Sequence, residues 1–226
     1  MRVTSAYCAI KNLTVIGAGQ MGAGIAQVAA TTGHTVVLND ISQSMLDRAQ
    51  SGIEKSLKRV AKKMEPAIAD EFMSTSLSNI SMTTDLGASV SAADLAIEAV
   101  VENLKLKQTI FVEMEKNSPN GAILATNTSS LPITAISVDL KDPSLFGGLH
   151  FFNPVPMMRL LEVIKCDATS QETFESMVNW GGKMKKTTVR CIDTPGFIVN
   201  RLLIPYMLEA VRLYERGHGS KEDIGT

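Results

Sequence analysis

Gly17-Ala18-Gly19-Gln20-Met21-Gly22 follows the apolar run 13–16 and opens a helical pattern, and its reading decides the fold. In this Gly-x-Gly-x-x-Gly spacing the first glycine permits a tight turn. The second lets the backbone approach a pyrophosphate, and the third lets helix and strand pack closely. The helix amino terminus then offers unpaired N–H groups to an anion. A bare glycine-rich hexapeptide is weak evidence. Here the helical pattern ends at Gly33, a second strand-like run ends at Asn39, and Asp40 stands where a ribose-binding acid is expected, about twenty residues on. The whole βαβ pattern predicts a dinucleotide site, with Gly17, Gly19, Gln20, Met21, Gly22 and Asp40 around the cofactor, over a tight turn with no ligand. A carboxylate at Asp40 accepts hydrogen bonds from ribose hydroxyls and repels a 2′-phosphate. Neither Ile41 nor Ser42 offers an arginine for that phosphate, so NAD is expected rather than NADP.

Outward from this unit, short apolar runs alternate with helical patterns. The runs are 12–16, 35–39, 95–100, 122–126, 146–151 and 160–164; the helical stretches are 21–32, 43–63, 105–116 and 170–183. Apolar strands separated by helices imply a parallel sheet covered on both faces. After Arg190 the composition changes. Asp193-Thr194-Pro195-Gly196 is a turn signal, followed by one long helical pattern over 197–216 that is apolar on more than one side. One side is expected to rest on the sheet, the others on further partners. Gly217 to Gly219 stop that helix, and Ser220-Lys221-Glu222-Asp223 has the form of another helix start. The expected fold class is α/β, a Rossmann-type doubly wound and mostly parallel sheet followed by the start of an all-α carboxyl-terminal domain. The expected division is an amino-terminal extension 1–11, an NAD-binding domain 12–192, and the beginning of a helical substrate and dimerisation domain 193–226, cut short.

The 226 residues carry a formal net charge of −1, which argues against nucleic acid as a general partner. No apolar run reaches the roughly 20 residues that span a bilayer, so no membrane partner is expected. Cys8, Cys166 and Cys191 are odd in number and match no ligand spacing; they read as free thiols, with no metal site. The first residues carry Arg2, several hydroxyl side chains and no acid, a composition compatible with a short mitochondrial targeting stub.

A second constellation is His150-Phe151-Phe152-Asn153-Pro154-Val155-Pro156, followed by Leu160-Leu161-Glu162-Val163-Ile164. His150 ends a strand at the edge where open α/β sheets bind ligands. Glu162 lies in an apolar strand, where an unpaired carboxylate is costly to bury. A nearby imidazole resolves that cost, and the carboxylate would orient the ring. Spacing alone leaves open both a catalytic pair and a structural histidine beside an edge-strand glutamate.

These stretches, with Ala125-Thr126-Asn127-Thr128-Ser129-Ser130 and Asp193-Thr194-Pro195-Gly196-Phe197-Ile198-Val199-Asn200-Arg201, resemble the L-3-hydroxyacyl-CoA dehydrogenase family. The resemblance runs from about Lys11 to the last residue. It implies a short-chain, NAD-dependent enzyme of fatty acid β-oxidation in the mitochondrial matrix, with the cytoplasm as the alternative. It also implies the roles of particular residues. His150 takes the proton of the 3-hydroxyl, Glu162 pairs with His150, and Ser129 and Asn200 contact the substrate near its reacting oxygen. Glu102, Lys107, Asn127, Ser129 and Asn153 contact NAD. On residues alone, Glu102 and Lys107 read as a solvated loop and helix start.

Lys55, Ser56, Lys58, Arg59, Lys62 and Lys63 form a basic stretch, in which Lys55, Arg59 and Lys63 recur four apart and so share a helical face. A charge run of this kind is usually a solvated surface. The resemblance makes Ser56 and Lys63, with Ser129, contacts to acyl-CoA. Family members continue with more helices that complete the acyl cleft and form a homodimer, which is the expected partner of a complete chain. Two other readings stand beside this one. One is a dehydrogenase for a small free hydroxy acid; the other is a non-catalytic NAD-binding protein derived from the family.

Overall fold

The computed structural model describes residues 10–226. The targeting stub, most of the expected extension and Cys8 lie outside the described residues. In chain order, β1 (Asn12–Ile16), α1 (Gln20–Thr31), β2 (Thr35–Asn39), α2 (Gln43–Ala61), α3 (Pro66–Ser78), β3 (Ile80–Thr83), α4 (Leu86–Val90), β4 (Leu95–Glu98), α5 (Leu104–Asn117), β5 (Ile123–Thr126) and α6 (Ile133–Ile136) form the first part. Then come β6 (Phe146–Phe151), β7 (Leu160–Lys165), α7 (Gln171–Lys183), β8 (Thr187–Ile192), α8 (Val199–Glu215) and α9 (Lys221–Ile224).

The eight strands make one sheet in the order β3-β2-β1-β4-β5-β6-β7-β8, parallel throughout except at the antiparallel β6–β7 pair. The strand order reverses between β1 and β4, so a crevice opens there at the carboxyl ends of the strands, where such sheets bind ligands. Apolar side chains fill both faces. Val15, Leu38, Ile25, Ile53, Leu161 and Trp180 belong to the cluster beneath α1, α2 and α7; Ile16, Phe111, Ile133 and Phe146 belong to the cluster beneath α5 and α6. The mostly parallel, doubly covered sheet is the expected architecture.

The local expectations miss in places with physical reasons. β3 and β8 are edge strands, paired on one side only, and their residues are largely half-buried or exposed, so neither reads as an apolar run. α2 ends at Ala61, and Lys63 stands in the turn beyond it, so the shared basic face reaches only from Lys55 to Arg59. Lys107 is no solvated helix start: its side chain is 1% exposed. α8 rests no side on the sheet. None of its residues is buried, and Leu202, Ile204, Tyr206 and Met207 are all more than half exposed. Its one substantial neighbour among the elements is α9.

Candidate active site

The glycine turn is forced by its neighbours. Gly17 has φ +102°, and a Cβ there would lie 2.7 Å from the Ala99 carbonyl oxygen of the segment after β4. A Cβ on Gly22 would collide with the Gly17 carbonyl, so α1 could not sit against the turn. At Gly19 nothing lies within 4 Å of that position, which leaves the α1 amino terminus open on the side a phosphate would approach. No side chain caps α1, so its first amides have no partner of that kind. Asp40 stands at the end of β2 and closes over this turn: Oδ2 accepts from the Ala18 amide at 2.9 Å and Oδ1 from the Ser42 amide at 3.0 Å. The open glycine, uncapped helix and facing carboxylate fit NAD.

On the far side of the crevice a buried polar network organises the ends of β4 and β5. Glu98 is fully buried and accepts from Lys107 Nζ at 2.5 Å, Thr126 Oγ1 at 2.7 Å and the Val100 amide at 2.7 Å. Lys107 also lies 3.5 Å from Glu102 Oε2. Glu102 in turn accepts from the Thr128 hydroxyl at 2.9 Å and the Ser129 amide at 2.9 Å. The Asn127 side chain accepts from the Phe151 amide at 2.9 Å, which ties the β5 end to the strand that carries His150. Asn200, in the first turn of α8, donates to the Ser129 carbonyl at 3.2 Å. Lys107, Glu102, Ser129 and Asn200 are thus joined in one run of contacts, and Asn127 is tied beside it to β6.

His150 and Glu162 face each other as a cross-strand pair of β6 and β7, and His150 Nδ1 lies 2.7 Å from Glu162 Oε2. Both residues are buried. Phe152 and Phe197 flank the imidazole, with ring centroids at 4.5 and 5.7 Å. Nε2 makes no hydrogen bond among the described residues. The second carboxylate oxygen, Oε1, accepts from the Ile198 and Val199 amides at 3.0 and 2.9 Å. Burial pushes the Glu162 pKa up, but the hydrogen bonds from His150, Val199 and Ile198 outweigh it and leave the carboxyl below its ordinary value. An ionised glutamate at this distance favours the tautomer with the proton on Nδ1, which turns Nε2 into the ring nitrogen that can accept one.

Between α1, α2 and the loop after β6 lies a cavity of about 540 Å³, whose lining includes Gly19, Gln20, Ser56, Arg59, Asn153 and Met157. Ser56 and Asn153 therefore share one cavity with the glycine turn. Lys63 and Lys55 do not line it, whereas Arg59 and Arg48 do.

Sequence reading missed Glu98 and Asp193. The signal for Glu98 is present, since it is an acid ending the apolar run Leu-Ala-Ile-Glu, as Glu162 is within its own. Asp193 accepts from the Ile133 amide at 3.1 Å and the Thr134 amide at 2.8 Å, clipping the turn before α8 onto α6 across sixty residues of sequence. No local pattern marks that contact. Cys166 and Cys191 are buried free thiols, and burial pushes the Cys191 thiol up.

Comparison with known proteins places this arrangement. The family model described as "3-hydroxyacyl-CoA dehydrogenase, NAD binding domain" matches residues 12–194, and that described as "3-hydroxyacyl-CoA dehydrogenase, C-terminal domain" matches residues 196–226. The mitochondrial hydroxyacyl-coenzyme A dehydrogenase of Rattus norvegicus is 56% identical over 220 residues, which cover 96% of this chain and 70% of the rat protein. A crystal structure of 3-hydroxybutyryl-CoA dehydrogenase from Escherichia coli K12 is 44% identical with a TM-score of 0.87, over 92% of this chain and 43% of that one. The (S)-3-hydroxybutyryl-CoA dehydrogenase of Ralstonia eutropha is 33% identical with a TM-score of 0.90, over 95% of this chain and 75% of that one. The matched residues take in both the glycine turn and the His150–Glu162 pair, and the chain belongs to the 3-hydroxyacyl-CoA dehydrogenase family.

Proposed function

We propose that this NAD-dependent dehydrogenase oxidises L-3-hydroxyacyl-CoA to 3-ketoacyl-CoA in fatty acid β-oxidation, with His150 as the base. The observation that carries this reading is the 2.7 Å bond between His150 Nδ1 and buried Glu162, with Nε2 left open. Bound NAD supplies the acceptor for the hydride that leaves C3. His150 takes the hydroxyl proton at Nε2, and Glu162 holds the ring and stabilises the imidazolium that results. Ser129 and Asn200, already joined by a hydrogen bond, place a hydroxyl and an amide beside the reacting oxygen. Gly17, Gly19, Gln20, Met21, Gly22 and Asp40 would hold the dinucleotide, together with Glu102, Lys107, Asn127, Ser129 and Asn153. Buried Lys107 acts there by holding Glu98 and Glu102.

Ser56 and Lys63 take the coenzyme A portion, supported by the place of Ser56 in the shared cavity. Residues 12–192 form the NAD-binding domain, and 193–226 begin a helical domain. A homodimer through that helical part is supported by the exposed apolar side chains of α8. The mitochondrial matrix is the proposed location, a reading supported by the word mitochondrial in the names of the mammalian relatives. No helix among the described residues is long and apolar enough to cross a membrane.

The test is NADH oxidation with acetoacetyl-CoA. His150→Ala should lower turnover about 10²- to 10⁴-fold and leave NADH affinity nearly unchanged, because the residue moves a proton and does not hold the cofactor. A His150→Ala protein with normal turnover would sink the assignment.

A further inference from the structure

The loop 152–158 that follows β6 is held from two sides. On one side Val155, 2% exposed, packs against α1, where a Cβ on Gly24 would lie 2.9 Å from that of Val155. On the other side stands Lys186, in the turn between α7 and β8. Its Nζ donates to the Val155 carbonyl at 2.5 Å and to the Met158 carbonyl at 2.8 Å. The Met157 and Met158 amides both turn back to the Pro154 carbonyl at 3.0 Å, so the loop closes on itself and Lys186 takes carbonyls that this closure leaves facing outward.

Lys186 is itself rigidly mounted. Its amide bonds the Gly181 carbonyl of α7 at 3.1 Å, and the next residue begins β8, which pairs Thr187 with Leu160. The side chain is half-buried and makes no ion pair among the described residues. Burial pushes its pKa down, and among the described residues its ammonium bonds these two carbonyls. A stem that only filled space would serve as well without the charge. What the charge adds is a fixed distance between the α7–β8 turn and the loop. That loop carries Asn153 and Met157 into the wall of the cavity opposite Ser56 and Arg59.

We propose that Lys186 is a positioning residue for substrate binding: by holding the Val155 and Met158 carbonyls it fixes the loop that walls the cavity opposite α2, and so sets the affinity for acyl-CoA without touching the reacting atoms. This rests on the acyl-CoA reading of the site.

The experiment compares Lys186→Met, which keeps the stem and loses both bonds, with Lys186→Arg, which keeps charge and donors. Lys186→Met should raise KM for acetoacetyl-CoA about tenfold, because the loosened loop must then be ordered at the expense of binding. Its kcat should stay within about threefold, since His150 is bonded to Glu162 on β7, and the loop residue that touches the ring, Phe152, precedes the two carbonyls that Lys186 holds. Lys186→Arg should recover most of the KM. Amide exchange should quicken at Val155, Met157, Met158 and Arg159 and stay slow in β7 and β8. If Lys186→Met does not fold, Lys186→Gln, which can reach one carbonyl, carries the same expectations at smaller size. An unchanged KM, a fall in kcat alone, or faster exchange spread evenly over α7, β7 and β8 overturns the proposal. An unmutated protein inert towards acetoacetyl-CoA would instead overturn the acyl-CoA reading, while local exchange still decides whether Lys186 fixes the loop.

Discussion

Glu98 and Glu162 are the fully buried carboxylates among the described residues, and what separates them is the partner. Glu98 faces Lys107, 2.5 Å away and as deeply buried, so that pair is a fixed piece of scaffold under the crevice. Glu162 faces an imidazole, a group that can take up and pass on a proton at a ring nitrogen, so that pair can do chemistry. Lys107→Met should therefore destabilise the protein by about 3–5 kcal/mol, because it leaves Glu98 buried without its counter-charge. Adding Glu98→Gln to the same protein should return part of that loss. Denaturant unfolding of the three proteins checks it; a Lys107→Met protein as stable as the unmutated one contradicts the pairing. Both acids were equally visible as charges in apolar strands. Only Glu162 was singled out, because a histidine stood twelve residues before it, whereas the cation that satisfies Glu98 arrives from a helix whose apolar side the sequence leaves ambiguous.

At the scale of elements, α8 is held by its first turn. Its own N-cap position, Ile198, offers no side-chain acceptor, and the capping oxygen comes from Glu162 on β7. One carboxylate thus fixes both the imidazole and the start of the helix that carries Asn200. Glu162→Gln keeps an acceptor but removes the charge, so two effects are expected together. Turnover should fall because the imidazolium loses its counter-ion, and exchange at the Ile198 and Val199 amides should quicken about fivefold, the size of a weakened helix cap. Hydrogen exchange followed by NMR, beside turnover, reads both; slower turnover with unchanged exchange would separate the two roles. Strands and helices with two covered sides were legible from their apolar runs. The edge strands β3 and β8 were not, since a strand with one open side needs no such run. The long helix 197–216 was legible as a helix, but its packing was not, because an apolar stripe shows that a face is fit for contact and not what it meets.

For the molecule as a whole, two buried groups make stability depend on pH in the same direction. Burial lowers the His34 pKa from 6.5, where the ring sits edge-on to Trp180, so His34 is neutral in the folded chain. The unfolded chain then binds the proton more readily, and the stability that neutral His34 contributes is present above its unfolded value of 6.5 and lost as pH falls towards the folded value. Glu162, lowered from 4.5, adds a second loss further down, present above 4.5 and lost as pH drops through its folded value. Melting temperature should fall from pH 7 to 5, and His34→Asn should flatten that part of the curve; an unchanged slope would show that His34 is not the group responsible. By itself the sequence determined the doubly wound sheet and the dinucleotide turn, because each follows from the periodicity or chemistry of residues close in the chain; it brought His150 and Glu162 forward as candidates, and the fold joined them at 2.7 Å. The tertiary structure alone decided that Glu162 also caps α8, that Lys107 is consumed by Glu98, that Asp193 clips α6, and that Lys186 grips the loop after β6. Three of these are polar contacts between elements distant in sequence, and the fourth, Lys107 with Glu98, joins neighbouring elements nine residues apart. In each, the contact depends on which groups the fold brings within about 3 Å, and no local pattern records that distance.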